Sequence, residues 1–574
     1  MSHLLAIAVG PVQEFIAAAR RTRDLWFGSY LLSEISRAVA KSVEPAGGKL
    51  IFPASSDAEN VANVILAELP AGEPKNVAAK AKHAAQTRWL EFINDAWNQA
   101  HGVIRKEIWD EQKNDVIEFY AAWVQQTGDY KADRKKLMRL LAGRKNCRDF
   151  PAANGADVGI PKSSLDGQRP SVFVQPEQRS KRDELRADWP TALRLSPGEE
   201  LDVVGVTKRV GKRKGEQHPS YPSVARVAAE TWLSAQERQG NLDVLKQACN
   251  KLVSKGLNTV REENYQYFRY EGTVIFKHRL TDLQKELKLQ DSDIAELKAA
   301  LAGLRGEPNP YLAVLVADGD KMGASISALS SPDEHREFSR TLAGFANSAR
   351  TIVNDHNGVL VYAGGDDVLA FLPVDKCLGC ARKLHDDFGK LLAQYGNPTL
   401  SVGIAIGHFM ENLEDLLDYG RAAEKAAKKV EGTDALAVHL HKRGGVPVKM
   451  ASQWGTQPDQ RLTLYAELIQ ADALPSKLPY DLQKLAELYR DWPSATVLEA
   501  MQRDALRIIA DKQPRAGRRY MRQVQHIVQG LADAKALQSF CNELLIARLL
   551  AEVFTQARRE PTELQRLVEE VAHV

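Results

Sequence analysis

The sequence predicts an α+β protein of several domains. A palm or ferredoxin-like α/β sandwich lies within residues 311–445 and a related sheet-containing unit within 1–215. A helical region, 216–310, stands between them, and a helical bundle fills 446–574. Three observations carry this expectation. The chain has 574 residues, enough for several domains with ample core. From Tyr311 onward the apolar pattern runs strand, helix, hairpin, helix, strand, helix, strand, the order of a compact α/β sandwich. After residue 446 Leu, Ala and Ile recur with helical period and strand formers are few.

In chain order, residues 4–9 are a continuous apolar run and read as the first strand. Gly10-Pro11 makes a turn, and residues 12–20 continue as helix. More helix follows the stretch from Arg21 to Ser33, ending near residue 43. Residues 49–52 read as a strand and 58–69 as a helix. Residues 76–150 form a helical insertion with Trp89, Trp97, Trp109 and Trp123 at core-like spacing. Residues 201–206 are a strand candidate. Lys208-Arg209-Val210-Gly211-Lys212-Arg213-Lys214 reads as a basic loop, either a solvated linker or a weak RNA phosphate-backbone contact through Lys208, Arg209, Lys212 and Arg213. Gly306-Glu307-Pro308-Asn309-Pro310 closes the helical middle region as a boundary signal. Beyond it come the strand at 311–319, a hairpin, a helix at about 376–395, a strand at 400–406, a helix at 413–429 and a strand at 435–440. An arginine cluster falls at 515–522.

The chemistry concentrates in two places. Residues 359–371 are two strand-forming runs joined by Gly364-Gly365-Asp366-Asp367, a hairpin whose corner presents adjacent carboxylates. Gly364 and Gly365 let the backbone turn sharply and leave room for a bulky ligand. Upstream, the buried strand from Tyr311 ends in Asp318-Gly319-Asp320. Neighbouring strands of one sheet would bring Asp318 beside Asp366 and Asp367, a donor set for Mg²⁺ and for in-line phosphoryl or nucleotidyl transfer. The competing account is a solvated hairpin turn. A weak internal repeat lays Gly10 and Val12 on Asp318 and Asp320. It suggests two related domains of which the first lacks metal ligands, and a chance likeness accounts for that stretch equally well.

Composition sets limits. The net charge is +3, so nucleic-acid contact has to come from local patches. Cys147, Cys249, Cys377, Cys380 and Cys541 are odd in number and irregularly spaced, against a disulfide framework and in keeping with a reducing cytoplasm. The opening apolar run is too short to cross a membrane and reads as a strand, not a signal peptide.

Several motifs in order now carry a resemblance over essentially the whole chain. They are Gly10-Pro11-Val12-Gln13-Glu14-Phe15-Ile16, Ala19-Arg20-Arg21-Thr22-Arg23-Asp24-Leu25-Trp26 with Gly28-Ser29-Tyr30-Leu31-Leu32-Ser33, and Trp109-Asp110-Glu111-Gln112. Asn309-Pro310-Tyr311 then leads into Asp318-Gly319-Asp320-Lys321-Met322-Gly323, followed by Gly364-Gly365-Asp366-Asp367 and by Ser401-Val402-Gly403-Ile404-Ala405-Ile406 with residues 422–429. The chain resembles the large, signal-generating subunit of type III-B (Cmr-type) CRISPR RNA-guided effector complexes.

That resemblance implies two palm-like, nucleotide-cyclase-like domains facing each other across a nucleotide site. It implies a target-RNA-activated nucleotidyltransferase that makes a cyclic-oligoadenylate-type messenger from ATP with Mg²⁺ or Mn²⁺. The partners implied are the other Cmr-type subunits, small helical ones included, together with guide RNA and target RNA. Asp318, Asp366 and Asp367 would be catalytic metal ligands, joined by the Gly319 carbonyl. Gly364, Gly365, Asp320, Lys321 and Gly323 would border the nucleotide, and Lys425 and Lys428 would neutralise triphosphate unless they merely form a solvated helix face. Ser29 and Tyr30 would position a second ATP from the first domain, unless that segment is an ordinary helix-to-helix turn.

Two departures from the family pattern shape the expectation. The first strand starts at Leu4, leaving no room for the HD phosphohydrolase domain of many relatives, and His385-Asp386 reads as surface. Lys162-Ser163-Ser164-Leu165-Asp166-Gly167 and Asp202 stand where relatives place zinc-binding cysteines, so no zinc is expected, and Cys377 and Cys380 read as buried thiols. Three alternatives stay open. One is a catalytically silent scaffold holding guide RNA and small subunits. Another is a stand-alone diguanylate-type cyclase, and the third a synthase joining AMP to another small molecule.

Overall fold

The computed structural model describes residues 2–57, 61–147, 159–176, 182–186, 189–196, 198–213, 221–492, 494–558 and 561–572. Two sheets organise them. The first contains β1 (His3–Gly10), β2 (Lys49–Phe52), β3 (Val64–Leu69) and β4 (Glu118–Gln125), in the order β2-β3-β1-β4 with every neighbouring pair antiparallel. The second contains β5 (Tyr311–Gly319), β6 (Val359–Gly364), β7 (Asp367–Leu372), β8 (Leu400–His408), β9 (Ala435–Leu440) and β10 (Val448–Gln453), in the order β10-β9-β8-β5-β7-β6. Its β8-β5-β7-β6 core repeats the β4-β1-β3-β2 order of the first sheet, the ferredoxin-like arrangement. The added β9 runs parallel to β8, and β10 closes the edge antiparallel to β9.

Both first strands lie deep inside. β1 is buried from Leu4 to Gly10, and β5 is buried at most positions. On the first sheet, Leu5, Ile7 and Val9 share one apolar core with the helices Thr22–Val43 and Pro74–Ala100, while Leu4, Ala6 and Ala8 face Leu137 and Leu141 of the helix Tyr130–Asn146. The first of these cores continues through the helical middle region to Leu312, Val314 and Phe371 of the second sheet. The opposite face of that sheet, Ala313, Leu315 and Ala317, packs against Phe338, Phe345 and Phe388 and onward into the C-terminal helices.

The sheets are tied directly to each other. Tyr130 Oη lies 2.7 Å from His335 Nδ1, and Arg336 donates to Leu50 O at 2.9 Å and pairs with Glu68. The middle region holds the edge of the second sheet. Tyr221 donates to Leu360 O at 2.7 Å, beside the register shift of β6, and Tyr265 donates to Asn357 O at 2.7 Å.

Several elements differ from the sequence expectation. The helix expected over 58–69 is β3 where it is described, because antiparallel pairing with β1 overrides the helix-favouring Leu, Ala and Glu of Val64–Leu69. The insertion at 76–150 contains β4; Trp89 and Trp109 are buried, whereas Trp123 points out of the sheet and is 38% exposed. The helix expected over 12–20 covers only Gln13–Ala17. The strand candidate at 201–206 is instead the start of the helix Val203–Val210, set by Asp202, whose carboxylate accepts the Gly205 N–H at 2.9 Å. Residues 446–574 are helical, where described, apart from β10 and short 3₁₀ turns.

The basic loop is corrected most sharply. Lys208 and Arg209 are both 0% exposed. Lys208 donates to Ala18 O at 2.9 Å and to Phe15 O, and burial pushes its amine down to about 8. Arg209 grips Asp24 with two bonds of 2.8 Å and Glu199 with one of 2.8 Å. Neither can meet an RNA phosphate. Lys212 is exposed and Arg213 lies over the Trp26 ring at 4.2 Å, while Lys214 falls outside the described residues. Gly28-Ser29-Tyr30 is not a turn either: it sits inside the helix Thr22–Val43, with Gly28 and Ser29 buried. A Cβ on Gly28 would lie 3.0 Å from Lys208 Cε, so the glycine makes room for that buried lysine.

Candidate metal centre

The site forms where β5 ends beside the β6–β7 hairpin. Gly364 pairs with Asp367, leaving Gly365 and Asp366 as a two-residue turn. Gly365 has φ +71°, the left-handed value that a tight hairpin demands at its first central position. β5 pairs with β7 from Ala313 to Ala317, so the register alone sets Asp318 level with the turn. One carboxylate oxygen from each of Asp318, Asp366 and Asp367 lies within 4.8 Å of the others, the one such group of His, Cys, Asp or Glu among the described residues. Gly319 permits the approach: a Cβ there would stand 2.7 Å from Met322 Cγ and 2.9 Å from Asp366 Cβ.

Packing one more helix against the sheet completes the surroundings. The helix Leu413–Lys428 crosses β8 and β5 at two glycines. A Cβ on Gly403 would fall 2.0 Å from Glu424 N, and one on Gly420 would fall 2.9 Å from Val316 Cγ2. This close contact brings Lys428 onto Asp318 as an ion pair, with Glu424 3.8 Å from the same amine. Lys425, one residue on from Glu424, is exposed.

The electrostatics are those of crowded negative charge. Burial raises the Asp366 carboxyl. Asp367 reaches solvent, yet desolvation at the hairpin, then Asp366 and Glu424, push it up to about 7. Burial also raises Glu424, with Asp320 adding to it, and burial lowers the Lys428 amine. Tyr362, whose ring lies over Gly364, is raised by burial and by the charges of Asp367 and Asp366. Carboxylates raised by burial, with neighbouring negative charge adding at Asp367 and Glu424, are relieved by a divalent cation, and three oxygen donors at this spacing fit Mg²⁺ or Mn²⁺.

Other expected residues are placed differently. Asp320 is buried and turned away from the cluster: it accepts from Ser401 at 2.8 and 2.9 Å, from Thr399 at 2.9 Å and from the Asp434 N–H at 3.1 Å. It braces β5 against β8 and is corrected from nucleotide contact to support. Lys321 and Gly323 are exposed just beyond the carboxylates, Lys321 in a left-handed conformation with φ +60°. Ser29 and Tyr30 belong to the helix Thr22–Val43, where Tyr30 packs against Phe27 and Phe92. Sequence reasoning missed Glu424 and Tyr362. Glu424 could have been found as the acid four residues before Lys428 on one helix face, and Tyr362 as the aromatic two residues before Gly364 on the same strand face.

The surrounding residues define simpler roles. His385 is held by Asp434 at 2.7 Å and Asp386 at 2.9 Å and stacks on Trp454. Cys377 and Cys380 are buried, and the Cys377 thiol donates to Val374 O. Asp202 is buried as a helix cap beside Ser163. None of the described helices is long and apolar enough to cross a membrane.

Comparison with known proteins agrees with this geometry. Residues 311–437 match the family described as Cas10/Cmr2, second palm domain, and residues 4–100 match CRISPR-associated protein Cmr2, N-terminal. A curated relative, CRISPR system Cmr subunit Cmr2 of Pyrococcus furiosus, is 26% identical over 553 residues, covering 77% of this chain and 62% of the relative. The chain therefore spans less than two thirds of that relative's length. Two solved structures share the fold at TM-score 0.62 and 14% identity over 90% of this chain: a type III-B Cmr-beta complex in the apo state, of which 77% of the matched chain is covered, and Cmr-beta bound to cognate target RNA, of which 79% is covered. The matched stretches fall on the two sheets, so the chain carries a Cas10/Cmr2-type second palm domain and a Cmr2-type N-terminal domain and is similar to Cmr2 subunits of type III-B complexes.

Proposed function

We propose that this chain is a divalent-cation-dependent nucleotidyltransferase that condenses ATP into an oligoadenylate-type second messenger, acting within an RNA-guided Cmr-type complex and switched on by target RNA. The observation that carries the reading is the convergence of Asp318, Asp366 and Asp367 within 4.8 Å on a palm-type sheet. The family match and the likeness to Cmr-beta support the assembly part: other Cmr-type subunits, guide RNA and target RNA as partners.

The chemistry follows from the residues. Asp318, Asp366 and Asp367 would hold the cation, with the Gly319 carbonyl at hand. When bound, it supplies Lewis-acid activation of a ribose 3′-hydroxyl and charge neutralisation at the α-phosphate and leaving pyrophosphate. The hairpin holds two of the three carboxylates, Asp366 in its turn and Asp367 opening β7, so their alignment would cost little at the moment of reaction. Lys428 pairs with Asp318, and with that carboxylate engaged as a metal ligand its ammonium would be available to triphosphate oxygens. Lys321, exposed just after β5, would be a second cation for the same oxygens. Glu424 tethers Lys428 through the helix face. In each condensation the 3′-oxygen forms a bond to the α-phosphorus, the bond to the β-phosphate side breaks, pyrophosphate departs and one proton is released.

The decisive test incubates the assembled complex with α-labelled ATP, Mg²⁺ and target RNA and separates the products. Labelled oligoadenylate dependent on all three is expected. A complex that binds target RNA but turns over no ATP would leave the scaffold reading in its place.

A further inference from the structure

A second charged feature lies far along the chain, in the C-terminal bundle. Arg515, Arg518 and Arg519 belong to the 3₁₀ segment Arg515–Tyr520, and Arg522 to the first turn of the helix Met521–Gln529. All four are exposed. Arg515 and Arg518 stand three residues apart, as do Arg519 and Arg522, while Arg518 and Arg522 stand four apart, which sets them in two adjoining rows along the segment. No carboxylate of the described residues forms an ion pair with any of them, although Lys512, just before, is bound to Asp481. From Gln513 to Ala532 the sequence contains no Asp or Glu.

The stripe is mounted rigidly. The buried Gln513 side chain donates to Ala473 O at 2.8 Å and Gly517 O at 3.1 Å. A Cβ on Gly517 would strike Asp472 O at 1.9 Å, so this glycine lets the segment lie directly on the backbone at 472–473. Val524 and Val528, on the other side of the following helix, are buried in the apolar core. Arg519 lies over the Tyr520 ring, 4.7 Å from its centroid, and that ring is itself partly exposed.

We propose that this stripe binds the phosphate backbone of a single-stranded nucleic acid. Guanidinium forks suit phosphate oxygens. Four unpaired arginines spread over ~10–14 Å by helical rise can follow a run of neighbouring phosphates. An arginine-stacked tyrosine adds a surface on which a base can stack. None of the large exposed apolar side chains lies between residues 513 and 532, so what this segment itself offers a partner is positive charge. The stripe rests on the reading above only for the choice of RNA over DNA as its natural ligand.

The test measures binding of an unstructured RNA and a DNA of the same sequence to the full chain by fluorescence anisotropy over a range of salt. The variant carries Arg515→Gln, Arg518→Gln, Arg519→Gln and Arg522→Gln. Affinity for both strands should fall at least about tenfold, and the slope of log affinity against log salt should flatten by up to about 3, from ~0.7 for each phosphate that is no longer neutralised. The pair R518Q and R522Q should give about half that change, with the melting temperature unmoved in both variants. Unchanged affinity and slope in the quadruple variant overturn the proposal. So does retained nucleic-acid binding with impaired binding of a helical partner subunit, which would make the stripe a protein-docking face. Because the readout is binding, failure of ATP turnover would sink the messenger-synthesis reading and leave this one standing.

Discussion

The two sheets share a strand order and differ in what their first strands carry to the tip. β5 ends in Asp318 and Gly319 beside a hairpin that adds Asp366 in its turn and Asp367 at the start of β7. β1 ends in Gly10, followed by Pro11 and Val12, and the connection from β2 to β3 runs from Pro53 to Asn63 in place of a tight turn. The tip of the first sheet opens instead on a cleft of about 340 Å³ lined by Gly10, Glu14, Asn63, Glu118, Tyr120 and Lys145. The carboxylates there come from β4 and from the short helix after β1, so they do not converge as the three aspartates do. Topology thus creates an equivalent address twice, and among the described residues side chains gather three carboxylates at only one of them.

The comparison can be broken most directly at the hairpin. Asp366→Ala with Asp367→Ala should take ATP condensation below detection while leaving assembly and the melting temperature intact, because those side chains are mutually repelling ligands and not core. Undiminished product would end the assignment of the second sheet as the reactive one.

For the first sheet the largest effect should be on stability. Arg209→Ala leaves Asp24 and Glu199 buried without their cation and should cost about 3–5 kcal/mol, read by calorimetry. If it weakened RNA binding with no change in stability, the burial of Arg209 would have to be reconsidered.

A matched pair of glycine substitutions sharpens the contrast. Gly319→Ala forces a Cβ against Asp366 and Met322 and should lower turnover roughly 10²-fold by displacing the hairpin. At Gly10→Ala the nearest atom is the flexible Glu118 Oε2 at 3.3 Å, and turnover should stay within a few-fold of wild type. Equal losses would argue that both tips take part in chemistry equally.

Two lysines on one helix test the site's edge. Lys428→Ala should raise KM for ATP about tenfold, as expected for removing one charge-assisted hydrogen bond, whereas Lys425→Ala should change it less than twofold.

The smallest effect is thermal. Millimolar Mg²⁺ should raise the melting temperature of the wild type by a few degrees through binding to the folded state alone. It should do nothing for the double aspartate variant, and an equal rise in both would place the ion elsewhere.

How much of this was legible follows from what is local. The apolar run of β5, the strand-forming flanks of the hairpin and the glycines at its corner are properties of contiguous residues, and they announced both the elements and the aspartates they carry. What the sequence could not announce depends on partners far along the chain. Val64–Leu69 is a strand because β1 pairs with it, and Lys208 and Arg209 look like a solvated basic loop until Asp24, Glu199 and the carbonyls of Phe15 and Ala18 close around them. Asp318, near the end of β5, and Asp320, just past it, are two residues apart, yet Asp320 is consumed by Ser401 and Thr399 while Asp318 lies beside Asp366 and Asp367. Glu424 enters only because Gly403 and Gly420 let its helix lie against the sheet. Local sequence determined β5, the β6–β7 hairpin and the three aspartates they carry. Tertiary structure decided which charges are buried as struts and which remain for chemistry, because burial and ion pairing depend on which distant groups arrive at the same place.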